Sequence, residues 1–493
     1  MNTNFLKHTN MDSKAFMLIF LMVSLIFLTT CKQASEAHKD KKSYSKPIDF
    51  DFAKIKERGK LIAIVDNSST SYFLYKGQAM GFEYDLLKML AKELDLDLEL
   101  NITTDLEEAF EKLNKGEGDI IAFNLTITKD RAKKVLFTDE HSTGRQILVQ
   151  RKPNNWRKVK QHITEKKLIR NPIDLLGKEV YVRKGSAFIE RLHNLSDEIG
   201  GDIIIVEDKG EVSTEELIEK VADAEIDYTI ADEDVAKVNA WYYPNIDVKT
   251  AVSLPQRIAW AVRKNAPELQ AAINIWLKKV KRTPNYNIAY KKYFKNSRGS
   301  YRRAFSDYSS INSNNISIYD DYIKVGAEKI GWDWVLLSSL IYQESKFDPK
   351  AKSWAGAVGL MQLVPTTAEA YGAKDPTNPK QSIAAGVKYI KWLDKLWSKR
   401  VRSKEERIKF ILASYNIGQG HILDAYRLSK KYNEDYETWE VAAKYLQLKS
   451  KPKYFKDPVV TSGYAIGRET VNYVKQVMQR YQEYSQLTVQ VGE

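Results

Sequence analysis

The sequence predicts two domains, an α/β domain followed by a mainly α-helical one. Three observations carry that expectation. Between residues 61 and 123, apolar runs of strand length alternate with helical patterns, a βαβαβ series that implies a parallel sheet. From residue 316 onward the apolar periodicity is mostly helical, for example over Ile383 to Leu396 and Glu405 to Tyr415. Between them, residues 297–315 are rich in Ser, Asn and Arg and nearly free of aliphatic side chains, which reads as a linker. A length of 493 residues agrees with two domains.

The chain opens with a targeting pattern. Lys7 and Lys14 precede an apolar run from Ala15 to Leu28, the length of a signal-peptide core and short for a bilayer span. Leu28-Thr29-Thr30-Cys31 resembles a bacterial lipobox. That resemblance implies a lipoprotein signal peptide over residues 1–31, lipidation of Cys31 and a membrane anchor on the periplasmic face of the outer membrane. Thr30 departs from the pattern, since a smaller residue is usual there, and an ordinary secretory signal or an uncleaved anchor is the alternative. Residues 32–55, rich in Lys, Ser and Asp, read as a flexible tether. Cys31 is the single cysteine, so no intramolecular disulfide forms. The formal net charge of +13 suits an anionic polymer or an anionic membrane surface. Lys and Arg are nevertheless dispersed among 64 acidic residues, and export removes the chain from nucleic acid, so no nucleic-acid partner is expected. The six His are scattered without ligand spacing and no nucleotide motif is present, so neither a metal nor another cofactor is expected.

In the α/β half, residues 56–296, Leu61 to Val65 is a continuous apolar run, as a strand covered on both faces requires. A helix over Tyr84 to Leu94, a strand over Leu96 to Ile102, a helix over Asp105 to Leu113 and a strand over Asp119 to Phe123 follow. Gly81-Phe82-Glu83-Tyr84-Asp85-Leu86, Gly118-Asp119-Ile120-Ile121, Leu125-Thr126-Ile127-Thr128-Lys129-Asp130-Arg131 and Phe137-Thr138 resemble the periplasmic amino-acid-binding proteins, solute-binding family 3. The resemblance implies a two-lobed fold in which Arg131, aided by Thr126, clamps a ligand carboxylate, a task suited to a planar guanidinium. It also implies that Asp232 holds a ligand ammonium and that Tyr72, followed by Phe73, lies over the ligand. A free amino acid and a peptide released from the cell wall both carry the groups this pair reads. The second lobe is expected to start near Gly177, and the chain to return to the first near Asn239, ending with a strand over Ile258 to Val262 and a helix from Pro267 to Val280. Val159 to Lys167, mostly polar and unusual for a small binding protein, points to an altered hinge. By themselves the residues also admit Arg131 paired with Asp130 or Asp139, and Asp232 as a helix N-cap.

The helical half, residues 316–493, opens at Ser317 and Asp320 with the spacing of a capping box. Further on, Leu337, Leu340, Ile341 and Glu344 fall at i, i+3, i+4 and i+7, which puts a carboxylate on an apolar stripe. Burial disfavours its charged form and raises its pKa, as a general acid working near neutral pH requires. Asp348 precedes Pro349 and is pushed out of the helical region, so the helix should stop near Phe347 with Glu344 in its last turn. Gly356, Gly359 and Pro365 then break the chain into an irregular segment along one wall of a cleft.

Ile341-Tyr342-Gln343-Glu344-Ser345, Ser353-Trp354-Ala355-Gly356-Ala357, Gly359-Leu360-Met361-Gln362 and Ala413-Ser414-Tyr415-Asn416 occur in that order. Together they resemble the soluble lytic transglycosylase catalytic domain, a lysozyme-like fold. The resemblance implies that Glu344 is a lone catalytic acid and base acting on the glycan strand of peptidoglycan. Met361 and Gln362 would line the cleft, with the Gln362 amide toward a sugar acetamido group. Ser353 would contact the acetamido region or orient the C6 hydroxyl, and Tyr415, beside Asn416, would reach the catalytic carboxyl or the substrate. Gly467-Arg468-Glu469-Thr470-Val471-Asn472-Tyr473-Val474 resembles the last motif of that family, with Glu469 and Tyr473 closing the cleft from the far side. The residues alone also allow a plain loop Ser353, a core Met361 with a solvent-facing Gln362, a core Tyr415 with Asn416 as a C-cap, and Glu469 paired with Arg468 beside a packed Tyr473. The order of the two modules resembles that of membrane-bound lytic murein transglycosylases.

Most glycosidases need two carboxylates flanking the scissile bond. The acid nearest Glu344 in sequence, Asp348, reads as a helix-end residue. In the family that the chain resembles, groups of the muramic acid replace the second carboxylate, and the MurNAc–GlcNAc β-1,4 bond is cleaved without water to leave a 1,6-anhydromuramoyl end. A lysozyme-type hydrolase on the same fold, and an inactive domain attached to a ligand sensor, are the alternatives.

Overall fold

The computed structural model describes residues 44–208, 212–296 and 315–489 and, between the last two ranges, residues 299, 303, 306, 308–311 and 313. The expected signal peptide with Cys31, the tether as far as residue 43 and much of the 297–315 linker lie outside the described residues. The tether expected to reach residue 55 ends earlier than that. Asp51 caps a helix over Phe52–Arg58, and the Ile48 N–H donates to the Asn114 carbonyl at 3.0 Å.

The first lobe is built on β1 (Lys60–Val65), a hairpin of β2 (Phe73–Tyr75) and β3 (Gln78–Met80), α1 (Phe82–Glu93), β4 (Asp97–Ile102), α2 (Leu106–Lys115), β5 (Ile120–Thr126), β6 (Val135–Phe137) and β7 (Ser142–Gly144). Asp105 caps α2 by accepting from the N–H groups of Glu107 and Glu108, and Gly116 ends it in the left-handed region. As the alternation predicts, β4, β1 and β5 are parallel, with Ala63 opposite both Leu100 and Ile120. The second lobe holds β8 (Gln146–Arg151), β9 (Glu179–Val182), β10 (Ile204–Glu207), β11 (Tyr228–Asp232) and β12 (Ile246–Ala251), in the order β10-β9-β11-β8-β12. The chain then returns as β13 (Gln256–Arg263), antiparallel to β5, β6 and β7, and continues into α3 (Pro267–Val280).

Three expectations about the lobes are corrected. The second lobe begins at β8, not near Gly177, because β8 pairs with β11 and β12. The return falls between β12 and β13, not near Asn239, which is buried in a second-lobe helix. The polar stretch 159–167 lies between β8 and β9, inside the second lobe, and so leaves the crossovers unaltered.

The helical half contains α4 (Asp320–Glu328), α5 (Trp334–Ser345), α6 (Pro379–Trp397), α7 (Lys404–Ile417) and α8 (Gly467–Val489). Ser317 and Asp320 do meet, but not as a capping box. Tyr319 holds the N-cap position, while the Asp320 carboxylate accepts from the Ile316 and Ser317 N–H groups and from the Ser317 hydroxyl at 2.8, 2.9 and 2.7 Å.

One apolar core runs from the first lobe into the helical half, whereas the second lobe has clusters of its own. The long helix α8 makes the junction. Lys475 pairs with Asp97, the Gln479 amide donates to the Leu98 carbonyl at 2.7 Å, the Ile102 N–H donates to the Gln486 side chain at 2.8 Å, and the Tyr484 hydroxyl donates to the Gly77 carbonyl. Gly77 tips the β2–β3 hairpin at φ +72°, and a Cβ there would stand 2.4 Å from the Phe347 ring, so any other residue would strain the turn and displace that ring. Described linker residues extend the hairpin, since the Lys76 N–H donates to the Tyr308 carbonyl and the Ser310 N–H to the Leu74 carbonyl.

Candidate functional site

Glu344 stands in the last turn of α5, which ends at Ser345 because Lys346 and Phe347 both take left-handed backbone, φ +52° and +62°. The turn is held by the Lys346 N–H on the Tyr342 carbonyl and the Asp348 N–H on the Ser345 carbonyl, each 2.9 Å. It carries the chain away sharply and leaves the Glu344 side chain half-buried at the helix end. Burial pushes its carboxyl up to about 7, while a hydrogen bond donated by the Tyr473 hydroxyl pulls the other way. No second carboxylate among the described residues acts on it. Tyr473 lies buried on the first turns of α8, and its phenol is held far above its ordinary range by burial and then by Glu344.

The other residues expected around a cleft divide between the carboxyl and its scaffold. Tyr415 faces Glu344 closely enough for the carboxylate to raise its phenol after burial, yet its hydroxyl donates to the Met361 carbonyl at 2.6 Å. Met361 is a correction: its side chain is fully buried against Gly386, where a Cβ would meet its Cε at 2.3 Å, so it packs the core. Gln362, at φ +46°, donates its amide nitrogen to the carbonyls of Ala351 and Gly359 at 3.0 and 2.9 Å. That nitrogen braces the loop instead of facing a sugar. The Ser353 hydroxyl accepts from the Ala357 N–H at 3.0 Å and closes the same loop. Asn416 is not a cap. Its side-chain oxygen accepts from the Thr470 hydroxyl at 2.8 Å and ties α7 to α8, while Gly418 caps α7. Glu469 is exposed, and no ion pair joins it to Arg468 among the described residues.

Sequence reasoning missed an aromatic wall. The Tyr389 ring on α6 lies 5.3 Å from Tyr415, 5.5 Å from Tyr371 and 6.0 Å from Trp392, stacked on the last, and Trp392 is 42% exposed. Partly exposed rings beside a carboxyl suit the apolar faces of sugar rings. The signal was available in the i, i+3 spacing of Tyr389 and Trp392.

A second site lies between the lobes, a cavity of about 60 Å³ bordered by Arg131, Thr126 and Asp232. Arg131 donates to the carbonyls of Thr126 and, across the lobes, Gly185 at 3.2 and 3.3 Å. Burial pulls its guanidinium down to about 10, against the pull of Asp232. Burial likewise lifts the Asp232 carboxyl to about 7, opposed by Arg131. Asp232 holds the N-cap position of the following helix without making a side-chain cap bond, which leaves its carboxyl to the cavity. Asp66, Phe123, Arg183 and Glu215 also line it, and Glu215 accepts from the Ser69 N–H and hydroxyl across the lobes at 3.1 Å. Tyr72 is a further correction. It is fully buried outside this cavity, at the junction with α8.

Fold and sites define a lytic transglycosylase joined to a solute-binding-like module. Residues 61–296 match the model of bacterial extracellular solute-binding proteins, family 3, and residues 321–440 that of the transglycosylase SLT domain. The membrane-bound lytic murein transglycosylase F of Desulfosudis oleivorans is 35% identical over 434 residues, covering 87% of this chain and 90% of that one. The protein of the same name from Saccharophagus degradans is 34% identical over 425 residues, 86% and 81% of the two chains. Among solved structures, an ancestral arginine-binding protein bound to arginine covers 48% of this chain and 99% of its own at 25% identity and a TM-score of 0.41. The chain belongs to the membrane-bound lytic murein transglycosylase F family.

Proposed function

We propose that the helical domain cleaves the MurNAc–GlcNAc β-1,4 bond of peptidoglycan without water. The observation that carries this reading is Glu344, a desolvated carboxyl near pKa 7 with a phenol donor and, among the described residues, no second carboxylate acting on it. Protonated, it gives its proton to the bridging oxygen as the bond to the anomeric carbon breaks. The substrate's N-acetyl group stabilises the developing cation. The C6 hydroxyl of the same muramic acid then attacks the anomeric carbon and returns a proton to Glu344, leaving a 1,6-anhydro ring. Tyr473 supports the carboxylate stage by donating to it.

In this reading the module between the lobes senses an amino acid or a cell-wall peptide, its carboxylate on Arg131 and its ammonium on Asp232. Cys31 is lipidated and holds the enzyme on the periplasmic face of the outer membrane; Cys31→Ser should then move it from the membrane to the soluble fraction. Digestion of purified sacculi followed by mass analysis tests the chemistry. Anhydro-ended products from the wild type, with Glu344→Gln slower by on the order of a hundredfold or more, are expected. Products heavier by one water mean a hydrolase, and an unimpaired Glu344→Gln means that the carboxyl is not the acid.

A further inference from the structure

The face of the helical domain between α4 and α6 carries a groove of about 590 Å³ that the cleft chemistry does not use. Its floor is apolar, and Tyr322 and Val325 on α4 leave 46% and 54% of their surface exposed there. Its rim is cationic. Lys329 from the end of α4 and Lys380, Lys388 and Lys391 from α6 border it, no acid does, and no ion pair neutralises any of the four among the described residues. Exposed apolar surface ringed by lysines marks an interaction site, and fits an occupant that brings carboxylates and small apolar groups together.

A chain of contacts links the groove to Glu344. Lys388 donates to the Tyr371 carbonyl at 3.0 Å, and the Tyr371 ring leads through Tyr389 to Tyr415 and so to Glu344. Lys388 and Trp392, one turn apart on α6, join the groove to the aromatic wall. A glycan strand passing Glu344 along that wall would bring the side branches of neighbouring muramic acids over the lysines. Those branches are short peptides that carry several carboxylates and alanine methyl groups.

We propose that this groove binds the carboxylate-bearing peptide stem of a muramic acid next to the one being cleaved, so that the enzyme prefers peptide-bearing to peptide-free strands. The inference rests on the glycan-cleaving assignment above. It favours the stem over an anionic lipid surface because Lys388 and α6 tie the groove to the aromatic wall.

The test is steady-state cleavage, by the full chain, of glycan strands that keep their stems and of the same strands stripped by an amidase. Lys380→Glu/Lys391→Glu is compared with Lys380→Gln/Lys391→Gln, both altering exposed side chains whose loss should leave folding intact. On stem-bearing strands the charge reversal should raise KM about five- to tenfold at low salt, and the neutral pair less, with kcat unchanged. On stripped strands both variants should match the wild type, and the wild-type preference should fade as salt rises. Equal KM values for the two substrates in the wild type, or an equal rise on both in the variant, overturn the proposal. So does a variant with unaltered strand kinetics that no longer sediments with phosphatidylglycerol vesicles, which would make the groove a membrane contact. Failure of the wild type to cleave either kind of strand would count against the catalytic assignment, and so is distinguishable.

Discussion

The Tyr72 hydroxyl donates to the Glu483 carboxylate across 3.5 Å, from the first lobe of the binding module to α8 of the helical domain. Ser68 and Thr70, a few residues earlier on the same loop, line the ligand cavity, and Tyr473, ten residues earlier on α8, holds Glu344. One loop thus touches the cavity between the lobes at one end and the helix that carries the Glu344 partner at the other. Because Tyr72 lies outside the cavity, Tyr72→Phe should leave ligand affinity within about twofold while lowering stability by up to about 1 kcal/mol for one long buried hydrogen bond. Calorimetric titration and thermal unfolding check the two halves. A tenfold loss of affinity would return Tyr72 to the ligand.

Glu344 and Glu483 are both lifted by burial from 4.5 to about 7. A carboxyl whose pKa is higher in the folded than in the unfolded chain binds an extra proton when folded. Its burial is therefore least costly below about pH 4.5, and stability is lost as pH rises toward and through 7. Each group can withdraw at most about 3 kcal/mol by this route. Urea unfolding of the wild type should show lower stability at pH 8 than at pH 5. Glu344→Gln/Glu483→Gln should flatten that slope and be the more stable protein at pH 8.

The same Glu344 value fixes the direction of the activity profile. The first step needs the protonated acid, so kcat/KM should fall above about pH 7. Tyr473→Phe removes the donor that favours the carboxylate, which raises the Glu344 pKa further. The alkaline limb should then move upward in pH while kcat drops on the order of tenfold, because the returning proton meets a less stabilised carboxylate. An unmoved limb would show that Tyr473 merely packs.

Placements that follow from local periodicity were legible in the sequence. Glu344 on its apolar stripe, the alternation from β1 to β5 and α3, which spans Pro267–Val280 as read, depend on neighbours a few positions away. Misplaced features depend on partners far along the chain. Tyr72 is claimed by a helix 411 residues on, Asn416 by Thr470, and the Gln362 amide by a loop closed through left-handed backbone at Gln362 itself. The lobe boundaries shifted for the same reason, since β8 is assigned to the second lobe only by its pairing with β11 and β12. Glu215 and Asp66 reach the cavity only once the lobes meet, and neither sits in a pattern that marks it.

If Asp232 takes the ligand ammonium as proposed, binding should be coupled to proton release. With its carboxyl lifted to about 7 by burial, roughly half of the molecules carry a proton there at neutral pH. A ligand ammonium against the carboxylate lowers that pKa and expels the proton. Calorimetric titration of the full chain with a panel of free amino acids and a muropeptide, at pH 7 in buffers of different ionisation enthalpy, should report a net release of up to about half a proton per ligand bound. Release should shrink at pH 9, where the carboxyl is already charged, and grow toward one proton at pH 6. Arg131→Ala should weaken binding about a hundredfold by removing a charge-assisted contact to the ligand carboxylate. It also deletes the cation that holds the Asp232 carboxyl down, so any residual binding should release more protons at pH 7 than in the wild type. Heats that do not vary with buffer would mean that no ammonium meets Asp232, and the pairing of Arg131 with Asp232 as the two ends of one ligand site would be wrong.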